Sequence, residues 1–301
     1  MSRFQGGLLG TQIAQQQSGQ GNPFPPTGQK QPLPSRDRDI PLLCAAESLI
    51  QCGRLDLAHW CEQLRLEQPS ALDLKQRASA SHTALWILPI ALYFHDHRQS
   101  LHDNVRQAAA LWLHPQENAD DLFLWADAIA WILRENLTGP DLLDRLLETA
   151  EGRWTPTCQH LKELRTLCDR AVPLEAVLDR FSTSRFSTSP IPLALAFYFF
   201  ASTPEDFCLC IKRAARGQNT PSIALALTGA LAGLYNSAYG LPPRWRAHPQ
   251  VDRAKQQGER LFATWSGVYQ SHRRTEGVRA VAAAGAIQPR ASLKIISHHS
   301  C

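Results

Sequence analysis

The sequence lacks any hydrophobic run long enough to cross a lipid bilayer. Its longest apolar stretch, Pro190 to Ala201, is much shorter than the roughly 20 residues that a membrane-spanning helix requires. The first residues, MSRFQGGLLGTQIAQQQ, also lack the pattern of a secretory signal. We therefore expect a cytoplasmic protein without a membrane partner.

A strong excess of charge of one sign is also absent. The 301 residues include 31 Lys and Arg and 27 Asp and Glu, which gives a net charge of +4, and the excess is not concentrated in one run. A nucleic-acid-binding protein normally carries a dense patch of cations. We therefore expect no nucleic-acid partner and predict no basic partner surface.

The motifs of several common enzyme classes are missing. The sequence contains no GxSxG, no HExxH and no Gly-rich phosphate loop. Eight cysteines are present, but they form no CxxC pair and have no histidine at zinc-finger spacing. We therefore expect reduced, mostly buried thiols, and no zinc bound by them.

The sequence does have helical periodicity along almost its whole length. Apolar residues recur every three or four positions from Leu42 to Ile50 and from Leu122 to Leu133. The predicted fold class is therefore all-α, as a single globular domain over residues 1–270. The further predicted helices are Leu55–Leu66, Thr83–Phe94, Leu101–Leu113, Gly139–Ala150, Thr157–Arg170, Leu174–Arg180, Ile191–Ala201, Pro204–Arg216, Pro221–Tyr235 and Val251–Tyr269.

Two segments depart from this pattern. Residues 15–39 are rich in Gln, Gly and Pro, which predicts a mobile loop long enough to serve as a lid. In residues 271–301 the apolar periodicity fades and positive charge increases, which predicts a poorly ordered C-terminal tail.

Two groups of carboxylates lie at the starts of predicted helices. Asp37 and Asp39 flank Arg38, where they either hold a hard cation or interact with the positive N-terminus of the helix, and the second interpretation is favoured. Asp120 and Asp121 open another helix, and there capping is the stronger interpretation.

Three histidines, His95, His97 and His102, lie close together in the segment FHDHRQSLH. No thiolate or carboxylate pattern completes a metal site around them. The favoured interpretation is a solvated turn.

The segment from Ala215 to Gly233 is the most informative part of the chain. A polar loop with Gly217 leads into a helix rich in Ala and Gly, and Asn219, Thr220 and Ser222 are available to cap that helix. Small side chains allow neighbouring helices to approach closely. The segment therefore predicts a central, fully buried helix.

In five places the sequence resembles the ADP-ribosylglycohydrolases of the dinitrogenase-reductase-activating type. Asp37 to Leu49 lies where that family has a TDDT motif and an Ala/Leu-rich helix, and the final block, with TGALAGLYNSAYGLPPRW, is the most specific. The five segments are Arg3–Gly10, Asp37–Leu49, Ser79–Leu92, Leu111–Pro115 and Ser202–Trp245. The third and fourth are similar to a Gly-Ala-Met-Arg-x-Ala-Pro segment and a Thr-His-x-x-Pro segment.

The resemblance implies an all-α fold. In active members it also implies two magnesium ions held by the carboxylates of TDDT and GDTDT motifs, which hydrolyse an N- or O-linked ADP-ribose bond. Most of those carboxylates are missing here. Asp37 remains near the first motif, with Asp39 as a second candidate, whereas Arg38 occupies a ligand position implied by the resemblance and residues 217–222 contain no carboxylate.

Two further positions depart from the family pattern. Gln15 stands where the resemblance implies an aspartate, and Trp86 stands where it implies an arginine. Each departure replaces a charged group while the apolar residues of the surrounding helices keep their type. The sequence therefore predicts a retained scaffold with an altered site.

Our leading hypothesis is a non-catalytic binding module that recognises an ADP-ribose-type ligand, an ADP-ribosylated protein or another protein partner, without a cofactor. The candidate ligand-binding residues are Gly217, Asn219, Thr220 and Ser222, at a helix N-terminus. One alternative is an active hydrolase that uses magnesium at Asp37 and Asp39. A second alternative is a structural or assembly protein that shares the fold alone.

Overall fold

The computed structural model describes residues 1–18, 35–68, 79–113, 117, 119–135, 137, 141–150, 155–182, 191–216 and 220–267. These residues form 15 α-helices and one 3-10 helix and contain no strand, so the predicted all-α class is confirmed. The helices are α1 Ser2–Ser18, α2 Ser35–Cys52, α3 Leu57–Glu67, α4 Ala80–Trp86, α5 Leu88–Phe94, α6 Arg98–Trp112, α7 Asp120–Leu133, α8 Leu142–Thr149, α9 Pro156–Asp169, α10 Leu174–Ser182, α11 Ile191–Ser202, α12 Phe207–Arg216, α13 Ser222–Gly240, α14 Pro243–Arg246 and α15 Asp252–Trp265, with the 3-10 helix Pro249–Val251 before α15.

Helices α1 and α13 form the most extensive helix–helix contact of the described fold. They run antiparallel, because Gly6 faces Gly233 and Gly10 faces Gly229. A Cβ atom added to any of these four glycines would overlap a backbone carbonyl oxygen of the other helix. The two backbones are therefore in direct contact, as glycines spaced four residues apart permit.

The other helices pack around this pair. Helix α13 is also in contact with α4, α7, α11 and α12, and its side chains from Ile223 to Leu234 are buried on every face. Helix α11 is apolar all round and buried from Leu193 to Phe200. The predicted central, buried helix is thus confirmed, and α11 is a second helix of the same kind.

The helices on either side of the predicted N-terminal loop extend into it at both ends. Residues 15–18 continue α1 and residues 35–39 already belong to α2, so both predicted ends of the 15–39 loop are wrong. Gln15 stays helical because its side chain is almost completely buried, and this tertiary packing outweighs the local composition. Residues 19–34 of the predicted loop and the whole predicted tail, 271–301, lie outside the described residues.

The single helix predicted over Thr83–Phe94 is two helices in the structure. Helix α4 ends at Trp86 and α5 begins at Leu88, with Ile87 between them. Pro89 causes the break, because it has no N–H to donate to the carbonyl of Leu85.

All seven cysteines within the described residues are free thiols, of which Cys44, Cys158 and Cys210 are buried. Burial raises the pKa of Cys44 and of Cys210 to about 12. These two thiols therefore stay protonated and unreactive at neutral pH. No described helix has the length and apolar character needed to span a membrane.

The contact between α1 and α13 predicts a sharp difference between two similar substitutions. Gly10→Ala should destabilise the protein by about 3 kcal/mol, because the new methyl group meets the backbone of Gly229. In Gly7→Ala the added Cβ lies 2.8 Å from Cγ of Leu234, so the strain falls on a buried side chain and not on a backbone. Both variants gain the same helix propensity, about 1 kcal/mol, so Gly7→Ala should be destabilised by only about 1 kcal/mol. Urea unfolding of the pair measures the difference, and equal stabilities would contradict a direct backbone contact.

Candidate functional site

The N-terminal end of α13, with Thr220 and Ser222, lies beside the end of another helix. Because α1 and α13 are antiparallel, the C-terminal end of α1, with Gln15, lies beside the N-terminal end of α13, which follows Thr220. Helix α4 is in contact with both α2 and α13. We call the region formed by these helix ends the helix-end site.

Of the two candidate carboxylates, the structure describes the side chain of Asp39. It is half-buried in the first half of α2, and its Oδ1 atom is shielded from solvent. The side chain of Asp37 and the residues Gly217 and Asn219 lie outside the described part of the chain. The role of these three as ligands therefore stays a prediction.

The described residues of the helix-end site do not fit a pair of magnesium ions. Magnesium is held by carboxylates and other oxygen donors, and a pair of ions needs several of them. Among the described residues, no three His, Cys, Asp or Glu side chains come together in a group that could hold a metal ion. Asp39 alone is a described carboxylate at the start of α2.

The N-terminal end of α13 offers hydroxyl groups instead. Thr220 is half-buried, and its Oγ1 atom is shielded from solvent and makes no hydrogen bond to any described residue. Ser222 is half-buried at the first position of the helix, after Pro221. A 19-residue helix carries a partial positive charge at this end, so these groups suit a phosphate or a ribose hydroxyl.

Three tryptophan rings, one of them from α4, pack against one another. Trp86 is fully buried, and its ring centroid lies 4.8 Å from that of Trp112, which lies 5.5 Å from that of Trp60. The indole N–H of Trp60 donates to the carbonyl oxygen of Pro41 in α2, at 3.0 Å. The segments that resemble the third and fourth family motifs thus contribute apolar packing between α2, α3, α4 and α6.

Helix α4 is fixed at its own start by two polar contacts. The backbone N–H of Ala80 donates to Oε1 of Glu117 at 3.0 Å. The N–H of Ser79 donates to Nδ1 of His82 at 3.3 Å, as in a capping box. Both contacts therefore hold the start of the helix that ends with Trp86.

A second polar cluster, which the sequence did not reveal, lies between α6 and α7. The carboxylate of Asp127 is almost completely buried and is 2.8 Å from Nε2 of His102 and 3.0 Å from a guanidinium nitrogen of Arg98. Burial by itself raises the pKa of Asp127, but hydrogen bonds from His102 and Arg98 outweigh burial and lower it below its ordinary value. Sequence spacing could not show this cluster, because Asp127 lies on a different helix from both of its partners.

The solvated turn predicted for the three histidines is wrong for two of them. His95 is buried, with its Nδ1 atom 2.8 Å from the carbonyl oxygen of Leu92, and His102 is largely covered by its contact with Asp127. His97 does lie at the surface, where Nδ1 accepts the N–H of Ser100. Neighbouring helices cover the rings of His95 and His102, and the local spacing of residues in the sequence cannot show this.

The capping role predicted for Asp121 is also wrong. Asp121 lies inside the first turn of α7 and is buried. Burial raises its pKa above the ordinary value, and hydrogen bonds from Thr157 and Thr155 offset part of the shift. Asp120 is half-buried in the same turn, where its charge interacts favourably with the helix N-terminus.

Comparison with known proteins agrees with the resemblance seen in the sequence. The family model described as ADP-ribosylglycohydrolase matches residues 6–271. The solved structure of an "ADP-ribosylglycohydrolase-related protein complex" is similar to this chain, with a TM-score of 0.62 and 22% sequence identity, over 87% of this chain and 97% of that chain. At that identity the likeness shows the fold alone. A search of curated proteins finds no significant match.

The packing around Trp86 predicts that an arginine, which the resemblance implies at this position, would not fit there. Trp86→Arg should destabilise the protein by at least about 3 kcal/mol, because it removes a buried ring and buries a guanidinium group in an apolar environment. Trp86→Phe keeps an apolar ring and should cost about 1.5 kcal/mol. Urea unfolding distinguishes the two, and an equally stable Trp86→Arg variant would show that the position is polar.

The buried pair of Asp127 and His102 predicts a pH-dependent effect. Asp127→Asn should destabilise the protein by about 2 kcal/mol at pH 7, because it removes a hydrogen-bonded buried charge. The pKa of Asp127 is lowered on folding, so its contribution is present above the unfolded-state pKa of about 3.9 and is lost as the pH falls below it. The difference in free energy of unfolding between the unaltered protein and Asp127→Asn should therefore become smaller below about pH 4. Asp103→Asn, which changes a carboxylate at the surface of α6, is the control and should change stability little at either pH.

Proposed function

The chain belongs to the ADP-ribosylglycohydrolase family, and from this membership we propose that it is a non-catalytic member that binds an ADP-ribose-type ligand without hydrolysing it. The observation that carries this proposal is the complete burial of Trp86 against Trp112. Where the resemblance implies an arginine at the site, this chain has a ring that forms part of the hydrophobic core.

The residues at the metal-binding motifs support the same conclusion. Arg38 lies between Asp37 and Asp39 in the sequence, and a positive charge at this position disfavours a divalent cation. Residues 217–222 include amide and hydroxyl side chains and no carboxylate. These residue types leave too few oxygen donors for the pair of magnesium ions that the family reaction uses.

Ligand binding remains compatible with the residues that are present. The Oγ1 atom of Thr220 has no hydrogen-bond partner within the described chain, and it lies just before the N-terminus of α13. In the sequence, Gly217, Asn219 and Ser222 belong to the same short polar segment. Hydroxyl and N–H donors at a helix N-terminus suit the phosphates of ADP-ribose, free or attached to a protein.

One alternative keeps the hydrolase activity. In it, Asp37 and Asp39 hold a single magnesium ion, and the shielding of Asp39 from solvent favours a role inside the site. A second alternative is an assembly function, because the solved structure with a similar fold is that of a protein complex. Measurements of ADP-ribose binding distinguish our proposal from these two alternatives.

The first experiment is calorimetric titration of ADP-ribose into chelator-treated protein, repeated with magnesium and with manganese. Our proposal predicts saturable binding with the same affinity in all three conditions. Binding that tightens markedly with metal would contradict the proposal and support the hydrolase. The absence of binding in every condition would support the assembly function.

A matched pair of variants tests the role of Thr220 in that binding. Thr220→Val keeps the shape of the side chain and removes its hydroxyl, so the affinity for ADP-ribose should fall about fivefold, the effect of one hydrogen bond of about 1 kcal/mol. Thr166→Val removes an exposed hydroxyl on α9 and should leave the affinity unchanged. An unchanged affinity in Thr220→Val would exclude this hydroxyl from the binding site.

A further inference from the structure

A group of cationic and apolar side chains lies at the surface on a face that the proposed ligand site does not use. It comprises Leu209 and Lys212 of α12, Tyr239 at the end of α13, and Arg244 and the half-buried Trp245 of α14. We call these five residues the basic–aromatic patch.

Contacts between the three helices hold the patch together. The ring of Phe207, at the start of α12, packs edge-on against Trp245 with centroids 6.1 Å apart. The amide of Asn236 in α13 donates to the carbonyl oxygen of Pro204, just before α12, at 2.7 Å. The backbone of Ser237 then leaves the helical conformation, with φ 58° and ψ 172°, two residues before Tyr239. The start of α12, the end of α13 and α14 are thus held together.

The two cations of the patch act on the same thiol. Burial raises the pKa of Cys208 and Asp206 adds to the increase, whereas Lys212 and Arg244 both lower it. The geometry agrees, because Lys212 follows Cys208 by one turn of α12 and Trp245, next to Arg244, packs against Phe207, next to Cys208.

Neither cation is neutralised by the described residues. Within that part of the chain, Lys212 and Arg244 form no ion pair or hydrogen bond with a carboxylate, and the guanidinium of Arg244 lies 5.4 Å from the centroid of the Trp245 ring. The carboxylate of Asp206 accepts the N–H of Leu209 at 2.9 Å, so it lies at the patch and offsets part of the positive charge. The two cations outnumber this carboxylate, and the patch thus presents a net positive charge to solvent.

The apolar members of the patch are unusually exposed. Tyr239 is 76% exposed and Leu209 is 45% exposed, and both belong to the small set of large apolar side chains that are exposed among the described residues. Exposed aromatic and aliphatic groups beside cations are typical of protein interaction surfaces.

We propose that the basic–aromatic patch binds an acidic segment of a partner protein, with an apolar or aromatic side chain of the partner placed against Leu209 and Tyr239. Charge complementarity supports an acidic partner, because Lys212 and Arg244 lack described carboxylate partners. Two cations are too few for nucleic acid, whose binding proteins typically make about 6–10 phosphate contacts. The proposal is independent of the helix-end site and of the ligand proposed for it.

The test uses a fluorescein-labelled peptide of about twelve residues, with glutamates flanking a central phenylalanine, and measures fluorescence anisotropy at low salt and at about 150 mM salt. The full-length protein should bind it saturably. Lys212→Glu combined with Arg244→Glu should weaken binding at least about tenfold, which corresponds to about 0.7 kcal/mol for each charge. Tyr239→Ser should weaken it further without changing its salt dependence.

The control is the pair Arg170→Glu and Lys255→Glu, which changes the net charge equally at two exposed positions, one just after α9 and one in α15. This control should keep peptide affinity within about twofold. Circular dichroism checks the fold of each variant, and Lys212→Gln with Arg244→Gln replaces the charge reversal if that variant unfolds. The affinity for ADP-ribose should be the same in all of these variants. A loss of peptide binding can therefore be distinguished from an effect on the helix-end site.

Three results would overturn the proposal. The first is that the unaltered protein does not bind the peptide saturably, and the second is that the control pair loses as much affinity as the patch variant. The third is that a double-stranded oligonucleotide or phosphatidylserine vesicles bind more tightly than the peptide, in a way that depends on Lys212 and Arg244. The last result would assign the patch to nucleic acid or to a lipid surface.

Discussion

The direct contact between the backbones of α1 and α13 is the constraint on which the rest of the structure depends. At Gly6, Gly10, Gly229 and Gly233 the two helices leave no room for a Cβ atom, so their separation is set by main-chain atoms alone. This fixes both the distance and the register of the pair. Helices α4, α11 and α12 then pack on α13, and α15 packs on α1. The same register brings the C-terminal end of α1 to the N-terminal end of α13, which creates the helix-end site.

In our proposal the scaffold keeps the family pattern and the site does not. The glycine contact and the buried faces of α11 and α13 preserve the fold, whereas the segments around Trp86 and Trp112 have become part of the core. When a packed aromatic ring replaces a charged site residue, the protein gains stability from the buried ring and loses the charged group. The protein therefore keeps the architecture of a glycohydrolase, and in our proposal it no longer needs the catalytic groups.

The sequence predicts the all-α class and the central position of α13 well, because apolar periodicity and runs of small residues are local signals. It predicts helix ends less well, as at Gln15, where burial extends α1 beyond its local pattern. The pairs Asp127 with His102 and Lys212 with Arg244 could not be predicted, since each joins different helices. The overall charge of +4 in particular conceals the basic–aromatic patch, because its cations are distributed along the chain.

The position of α1 in the fold also has a consequence for how the chain reaches its native state. Helix α1 makes its main contacts with residues 229–233, so its binding surface is incomplete until that much later part of the chain has been synthesised. Such a contact closes a very long loop and slows folding. Until then the glycine face of α1 and the apolar faces around it are exposed, and a chaperone that covers this helix during synthesis would protect the chain from aggregation.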